Sequence, residues 1–205
     1  MLLVALASTA HSSGDNSGKA LTKYAGYELG VSSLKSVQSG LGLSPIVKSG
    51  DAGDFVASVC YYTQDKKVRF LSGELGGKEL LLLGFELETV VASNDETKIS
   101  SCVRWPRQKK YLPSKKVGAL QLGINKAEFS RLTNREIQWD GNTAHTAFES
   151  RRKMTKLELA RHSNKNRQDR NSVTVPDYFD VLISVIGTFE GGKLVRLQVW
   201  KTETI

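Results

Sequence analysis

The chain has 205 residues, 40% of them hydrophobic and 24% charged, with a formal net charge of +8. These are ordinary globular values, so most of the chain should bury a core, and the length suits two small domains. No apolar run in the sequence approaches the ~20 residues of a membrane-spanning helix, so the sequence excludes such a helix.

The N-terminal segment, residues 1–19, predicts export. Residues 1–10 read MLLVALASTA, an apolar run ending in small residues. Ser8-Thr9-Ala10 fits the small-x-small pattern that signal peptidase reads. A disordered tail or a buried strand are the alternatives. The signal reading predicts a periplasmic or secreted location.

The first predicted unit covers residues 20–104. Leu29-Gly30-Val31-Ser32 predicts a turn into a helix with Ser32 as N-cap, and apolar residues then recur at helical spacing. Gly76-Gly77-Lys78 predicts a hairpin turn, because glycine supplies positive φ. The expected strands are Phe55–Thr63, Lys67–Ser72 and Leu80–Val91, with a short one over Ile99–Arg104.

The two cysteines of the chain, Cys60 and Cys102, predict a disulfide. A lone pair in an exported chain is typical of a disulfide, since a zinc site needs three or four ligands. The bridge would close a loop of about 40 residues. Two buried free thiols are the alternative.

Residues 105–117 are predicted to form a basic linker, because Pro106 and Pro113 oppose both helix and central strand. The second unit, residues 118–205, repeats the pattern of the first. Leu122-Gly123-Ile124-Asn125 matches the first helix start, and Gly191-Gly192-Lys193 matches the first hairpin turn. The strands expected here are Ala144–Ser150, Phe179–Thr188 and Lys193–Lys201, with a basic insertion over residues 151–178.

These elements predict an α+β fold of two tandem helix-plus-antiparallel-sheet repeats. A Leu-Gly-aliphatic-Ser/Asn helix start followed by a small antiparallel sheet resembles the beta-lactamase inhibitor protein fold. It is also similar to the BamE/SmpA-like outer-membrane lipoprotein unit. The resemblance covers most of residues 28–103 and 118–205. It implies a binding protein rather than a catalyst, with the concave sheet face gripping a partner.

Aromatic side chains are the candidates for a protein-binding surface, because interfaces favour Tyr and Trp. Neighbouring strand residues point to opposite faces, so one of two adjacent tyrosines should be exposed. The predicted partner-binding residues are Tyr61, Tyr62, Trp105 and Trp139. Packing in a core is the alternative for each of them, and Trp200 is expected in the core.

The positive charge is concentrated in two stretches of the chain. Residues 101–120 hold six basic and no acidic residues, and residues 151–170 hold eight basic residues against two acidic ones. A local basic patch is typical of a binding surface or a solvated loop. The predicted polyanion-binding residues are Arg107, Lys109, Lys110, Lys115, Lys116, Arg151, Arg152, Lys153, Arg167 and Arg170.

The sequence carries no recognisable catalytic motif. It lacks HExxH, Gly-x-Ser-x-Gly and the Walker pattern. We therefore predict no enzyme activity, no metal and no cofactor. The first functional hypothesis is an exported module that binds a protein partner in the cell envelope or outside the cell. The others are a binder of polyanions (nucleic acid, lipopolysaccharide or acidic lipid headgroups) and an unrecognised hydrolase; no oligomeric state is predicted.

Overall fold

The computed structural model describes residues 16–90, 101–106, 113–160 and 177–205. The helices are α1 (Asn16–Leu21), α2 (Leu34–Leu41) and α3 (Lys126–Thr133), with a 3-10 turn at Glu74–Gly76 and a helical segment over residues 156–160. The first strands are β1 (Lys23–Tyr24), β2 (Tyr27–Glu28), β3 (Val47–Ser49), β4 (Val56–Tyr62), β5 (Lys66–Gly73), β6 (Gly84–Thr89) and β7 (Val103–Arg104). The later strands are β8 (Lys116–Val117), β9 (Leu120–Gln121), β10 (Gln138–Asp140), β11 (Thr143–Lys153), β12 (Tyr178–Glu190) and β13 (Lys193–Thr204).

The predicted α+β architecture of two tandem repeats is wrong, because the protein is mostly β and is built on one large sheet. Within the described ranges the sheet has nine strands in the order β10-β11-β12-β13-β6-β5-β4-β3, with β7 parallel to β4. Strands β13 and β6 pair from Arg196 opposite Glu88 to Trp200 opposite Gly84. Sequence patterns locate strands one at a time, and they carry no signal for which edges meet.

The unit boundaries at residues 20–104, 105–117 and 118–205 stay predictions. Residues 1–15 lie outside the described part of the chain, as does the signal-like run over residues 1–10. Every helix within the described ranges is too short or too polar to cross a membrane.

The helix starts follow local capping chemistry. Asn125 caps α3 as predicted, because its Oδ1 accepts a hydrogen bond from the Glu128 backbone N–H at 2.8 Å. The cap of α2 is Ser33 rather than Ser32. Ser33 and Ser36 exchange side-chain-to-backbone hydrogen bonds in a capping box. The prediction of Ser32 was therefore wrong by one residue.

The two glycine pairs behave differently. Gly191 and Gly192, with φ of 54° and 76°, form the two-residue turn between β12 and β13 and confirm the predicted hairpin. Gly76 instead ends the 3-10 turn. Leu81 then bridges back to Ser33 before β6 begins at Gly84. β5 and β6 pair antiparallel, as the predicted hairpin requires, but the connection is not a tight glycine turn, because that segment packs against the start of α2.

The hydrophobic core lies on one face of the sheet, beneath the helices. Leu34 and Val37 of α2 and Phe129 of α3 are fully buried there. Phe129 packs edge-on against Phe189 of β12 at a ring-centroid distance of 5.6 Å. Alternate strand residues face this core, with Phe85 of β6 as an example. The intervening residues therefore occupy the opposite face, which we call the open face. Ser58, Cys60, Leu71 and Glu86 are nevertheless buried on it.

Cys60 and Cys102 form a disulfide, which confirms the pairing predicted from the sequence. Cys60 lies on β4, and Cys102 immediately precedes β7. The backbone N–H of Trp105 donates to the Tyr62 carbonyl at 2.7 Å just beyond the bridge. The disulfide therefore holds β7 beside β4 at this border of the sheet.

Removing the disulfide should lower the free energy of unfolding by about 3–4 kcal/mol, because the bridge closes a long loop in the unfolded chain. The test is reversible chemical denaturation of the Cys60→Ala/Cys102→Ala variant beside oxidised and reduced wild type. Reduced wild type controls for the loss of sulfur packing. Equal midpoints for the oxidised and reduced wild type would contradict the stabilising role of the bridge.

Candidate binding face of the sheet

The open face is formed by side chains that lie in rows across the strands. Strand register places Cys60, Arg69, Glu86, Gln198 and Ile186 in one such row. The neighbouring row contains Tyr62, Lys67, Glu88, Arg196 and Thr188. A third row contains Ser58, Leu71, Gly84, Trp200 and Ser184. The three rows cross the centre of the sheet.

Trp200 is the largest side chain near the middle of the open face. It stands opposite Gly84 on β6 and opposite Ser184 on β12. A Cβ built at Gly84 would approach the indole Cδ2 to 2.8 Å, so the ring lies directly on the glycine. Trp200 remains half-buried. The expectation that Trp200 belongs to the core is therefore wrong, because its strand parity places it on the open face.

Paired charges flank Trp200 on the central strands. Nε and Nη2 of Arg69 each lie 2.8 Å from a carboxylate oxygen of Glu86. Nε2 of Gln198 also donates to the Glu86 carboxylate. Glu86 is 1% exposed, so these donors compensate a carboxylate withdrawn from water.

The next row repeats this arrangement around Glu88. Lys67 Nζ lies 2.5 Å from Oε2 of Glu88, and Arg196 Nη2 donates to Oε1 at 2.9 Å. Burial raises the pKa of Glu88, but hydrogen bonds and charges from the two bases outweigh it, so the net pKa is lowered. The alternating row is a set of cross-strand ion pairs, separated from Trp200 by the row of Gln198 and Glu86.

Two shallow depressions lie on the open face beyond Trp200. One has a volume of about 630 Å³, and the strand residues lining it include Gln138, His145, Ala147, Ser184 and Ile186. The other has a volume of about 680 Å³, and its lining includes Glu149, Arg151, Asp180, Leu182 and Thr204. Leu182 is 36% exposed, and with Ile186 it supplies the apolar surface beside the indole row. Ser184, which lines the first depression, stands opposite Trp200 on the neighbouring strand.

The predicted partner-binding aromatics are not brought together. Tyr61 and Trp105 are 0% and 5% exposed and pack edge-on at 5.9 Å, so placing them at a partner surface was wrong. The Tyr61 hydroxyl donates to the Gly42 carbonyl at 2.6 Å, and burial raises its pKa to about 12. Strand parity points Tyr61 into the core and its neighbour Tyr62 to the open face.

Tyr62 and Trp139 remain candidates on different surfaces. Tyr62 is half-buried at the border of the open face, in the row of Glu88. Trp139 is 39% exposed on β10, where its ring lies 5.6 Å from Phe189 of the core side. Lys126 Nζ lies 4.9 Å from the Trp139 centroid. The two aromatics therefore cannot contribute to one contact patch.

Three of the five predicted polyanion-binding residues in the described ranges form ion pairs with carboxylates of the same chain. Arg151 Nε lies 2.9 Å from Asp180, and Lys115 Nζ lies 2.9 Å from Asp65. The Arg152 guanidinium contacts two carboxylates, those of Glu158 and Glu203. Its hydrogen bonds lower the pKa of Glu158 to about 2. Lys116 and Lys153 are exposed, whereas Arg107, Lys109, Lys110, Arg167 and Arg170 lie outside the described residues.

No three His, Cys, Asp or Glu side chains of the described residues are grouped as metal ligands. Comparison of the chain with protein-family models, curated proteins and solved structures finds no match. The open face therefore has to be interpreted from its own chemistry, which combines a seated indole, exposed aliphatic groups and paired charges.

Replacing Glu88 with glutamine should lower stability at neutral pH by about 2 kcal/mol, because Lys67 and Arg196 lose their anionic partner. In wild type the lowered pKa of Glu88 contributes stability that is present above the unfolded pKa. That stability is lost as pH falls below about 5. Denaturation midpoints measured from pH 7 to pH 3 should fall less steeply in Glu88→Gln.

The exposed carboxylate Glu79 supplies the matched control, since Glu79→Gln removes the same charge away from the sheet rows. If the denaturation midpoints of wild type and Glu88→Gln fall equally as the pH is lowered, the ion pairs around Glu88 do not stabilise the fold.

Proposed function

We propose that the chain is a non-enzymatic binding module that docks a protein partner on the open face of its sheet. The observation that carries the proposal is the half-buried Trp200 indole seated on Gly84. A partner would cover the exposed part of a ring whose orientation is already held by backbone contact. Pre-ordered aromatic side chains make strong interface anchors, because little conformational entropy is lost on binding.

The surroundings of Trp200 also support a protein ligand. Leu182 and Ile186 add apolar surface, and the ion pairs of Glu86 and Glu88 form a polar border. An apolar centre with a polar rim is the usual anatomy of a protein–protein interface. Since this border is already paired, a partner need not supply counter-charges for it.

Among the residues that the structure describes, the pairing of charges supports a protein ligand over a polyanion. The basic side chains at the centre of the face are paired with carboxylates, and so are Arg151 and Arg152. Polyanion affinity comes from cations that replace the counter-ions of the polymer. Internally paired cations contribute less to such binding. Lys116 and Lys153 remain exposed, so binding to an anionic polymer or lipid surface is the competing proposal.

We also propose that the protein is periplasmic or secreted. A disulfide between Cys60 and Cys102 supports a periplasmic or secreted protein, because disulfides persist in oxidising compartments. We also propose a likeness in role to the beta-lactamase inhibitor protein and to BamE/SmpA-like units. Both resemblances imply binding rather than catalysis.

A photo-crosslinking amino acid in place of Leu182 should capture a discrete protein from an envelope or culture-medium fraction. The same group in place of Val31, which is 68% exposed, is the matched control and should capture nothing at that mass. Trp200→Ala in the Leu182-labelled chain should reduce capture at least tenfold, because it removes the central anchor. Circular dichroism and thermal melting establish that each variant is folded.

Salt dependence separates the competing proposals. A protein interface centred on Trp200 should keep most of its capture between 50 and about 300 mM salt, whereas polyanion binding should fall steeply. Binding to heparin or lipopolysaccharide that falls steeply with salt and depends on Lys116 and Lys153, without capture at Leu182, would overturn the protein-partner proposal.

A further inference from the structure

Among the strands that the structure describes, none lies beside the outer edge of β11 over most of its length. β10 pairs with β11 from Thr143 to His145, whereas β12 follows β11 to its end at Lys153. From residue 146 to residue 153, no strand of the described ranges covers the outer side. Such an edge presents a row of backbone donors and acceptors to which another strand can add.

The geometry of the β10–β11 turn determines which groups face outward. Thr143 closes a two-residue turn that begins with Gly141 at φ 56°, so the Thr143 backbone groups face β10. Backbone direction alternates along a strand. The N–H and C=O groups of Ala147, Glu149 and Arg151 therefore point away from the sheet.

The side chains at this edge carry opposite charges two residues apart. Glu149 and Arg151 are exposed and lie on the open face. Arg151 already pairs with Asp180, its cross-strand partner on β12. Ser150 between them points to the helix-bearing face and is also exposed. A second strand could therefore approach this edge from outside.

We propose that β11 pairs antiparallel with β11 of a second copy of this chain, about a twofold axis at Ser150. In this register Glu149 stands opposite Arg151 of the second copy, and the symmetry produces the pair twice. Outward backbone groups of Glu149 meet those of Arg151 in both copies, which yields roughly four hydrogen bonds from two residue pairs. Pairing does not extend to Ala147, because the Glu136 backbone lies beside this end of the edge and accepts a hydrogen bond from the Thr146 hydroxyl at 2.8 Å. The two sheets become one continuous sheet.

Charge selects this register over its neighbours. An axis at Glu149 would place that carboxylate opposite its own copy, and an axis at Arg151 would place two guanidinium groups together. Like charges opposite one another destabilise a strand pair. The Ser150 register also continues a charge alternation, Asp180–Arg151–Glu149, of the kind that Lys67, Glu88 and Arg196 form at the sheet centre.

The inference does not rest on the proposed function, since Trp200 lies on the face of the sheet and the β11 edge is at its border. Sedimentation of the full chain over a wide concentration range should show a monomer–dimer equilibrium. Glu149→Arg and Arg151→Glu should each weaken the dimer at least tenfold, because each creates two like-charge pairs. Lys35→Glu and Glu79→Arg, at exposed sites away from this edge, are charge-matched controls that should leave the dimer unchanged.

Mixing the two weakened variants gives the most specific result. A Glu149→Arg chain beside an Arg151→Glu chain has opposite charges at both positions, so the mixture should recover dimer that neither variant forms alone. The double variant Glu149→Arg/Arg151→Glu should also recover it. Recovery in neither case would overturn the register.

Cysteine cross-linking tests the axis itself. Residues facing each other at a non-hydrogen-bonded position have Cα atoms about 4.5 Å apart, within disulfide range. Ser150→Cys should therefore form an intermolecular disulfide under mild oxidation. Ala147→Cys, exposed on the same edge but far from its own copy in this register, should not. A wild-type monomer at every concentration, together with a Ser150→Cys chain that does not cross-link, would overturn the proposal.

Discussion

The pairing of β13 with β6 is the constraint on which the rest of the structure depends. This contact joins strands from distant parts of the sequence at the middle of one sheet. Its register places Leu197 and Val199 in the core opposite Leu87 and Phe85. A slip of one residue would turn these apolar side chains outward and place Gln198 inside, so core burial specifies the register strongly.

The same register determines the chemistry of the open face. Trp200 meets Gly84, a residue without a side chain, and the indole can therefore lie on the backbone. Two residues along β13, Gln198 lies opposite Glu86, and two residues further on, Arg196 lies opposite Glu88. A single alignment thus creates both the buried core on one side and an ordered aromatic and ionic surface on the other. The stability of the fold and the surface proposed for partner binding are therefore coupled through the β13–β6 contact.

The sequence predicted the residues of the proposed binding surface only in part. Tyr61 and Tyr62 were correctly expected to point to opposite faces, but which face is buried depends on where the helices pack. Trp200 was missed because it was matched to the core residue Phe85 in the supposed first repeat. Its parity was legible in the sequence, since the polar residues Arg196 and Gln198 alternate with Leu197 and Val199 and share the face of Trp200. A signal was present in Gly84, since a glycine inside a strand often marks a close approach by another group.

Local chemistry allowed the sequence alone to determine most strand positions, the Gly191-Gly192 turn, the Asn125 cap and the Cys60–Cys102 pair. Each depends on residues close in the chain or on the small number of cysteines. Tertiary structure alone decided that the strands share one sheet, that Trp200 is half exposed, and that Arg151 and Arg152 meet carboxylates. These features require segments far apart in sequence to meet, and a strand's pattern specifies its faces but not its neighbour.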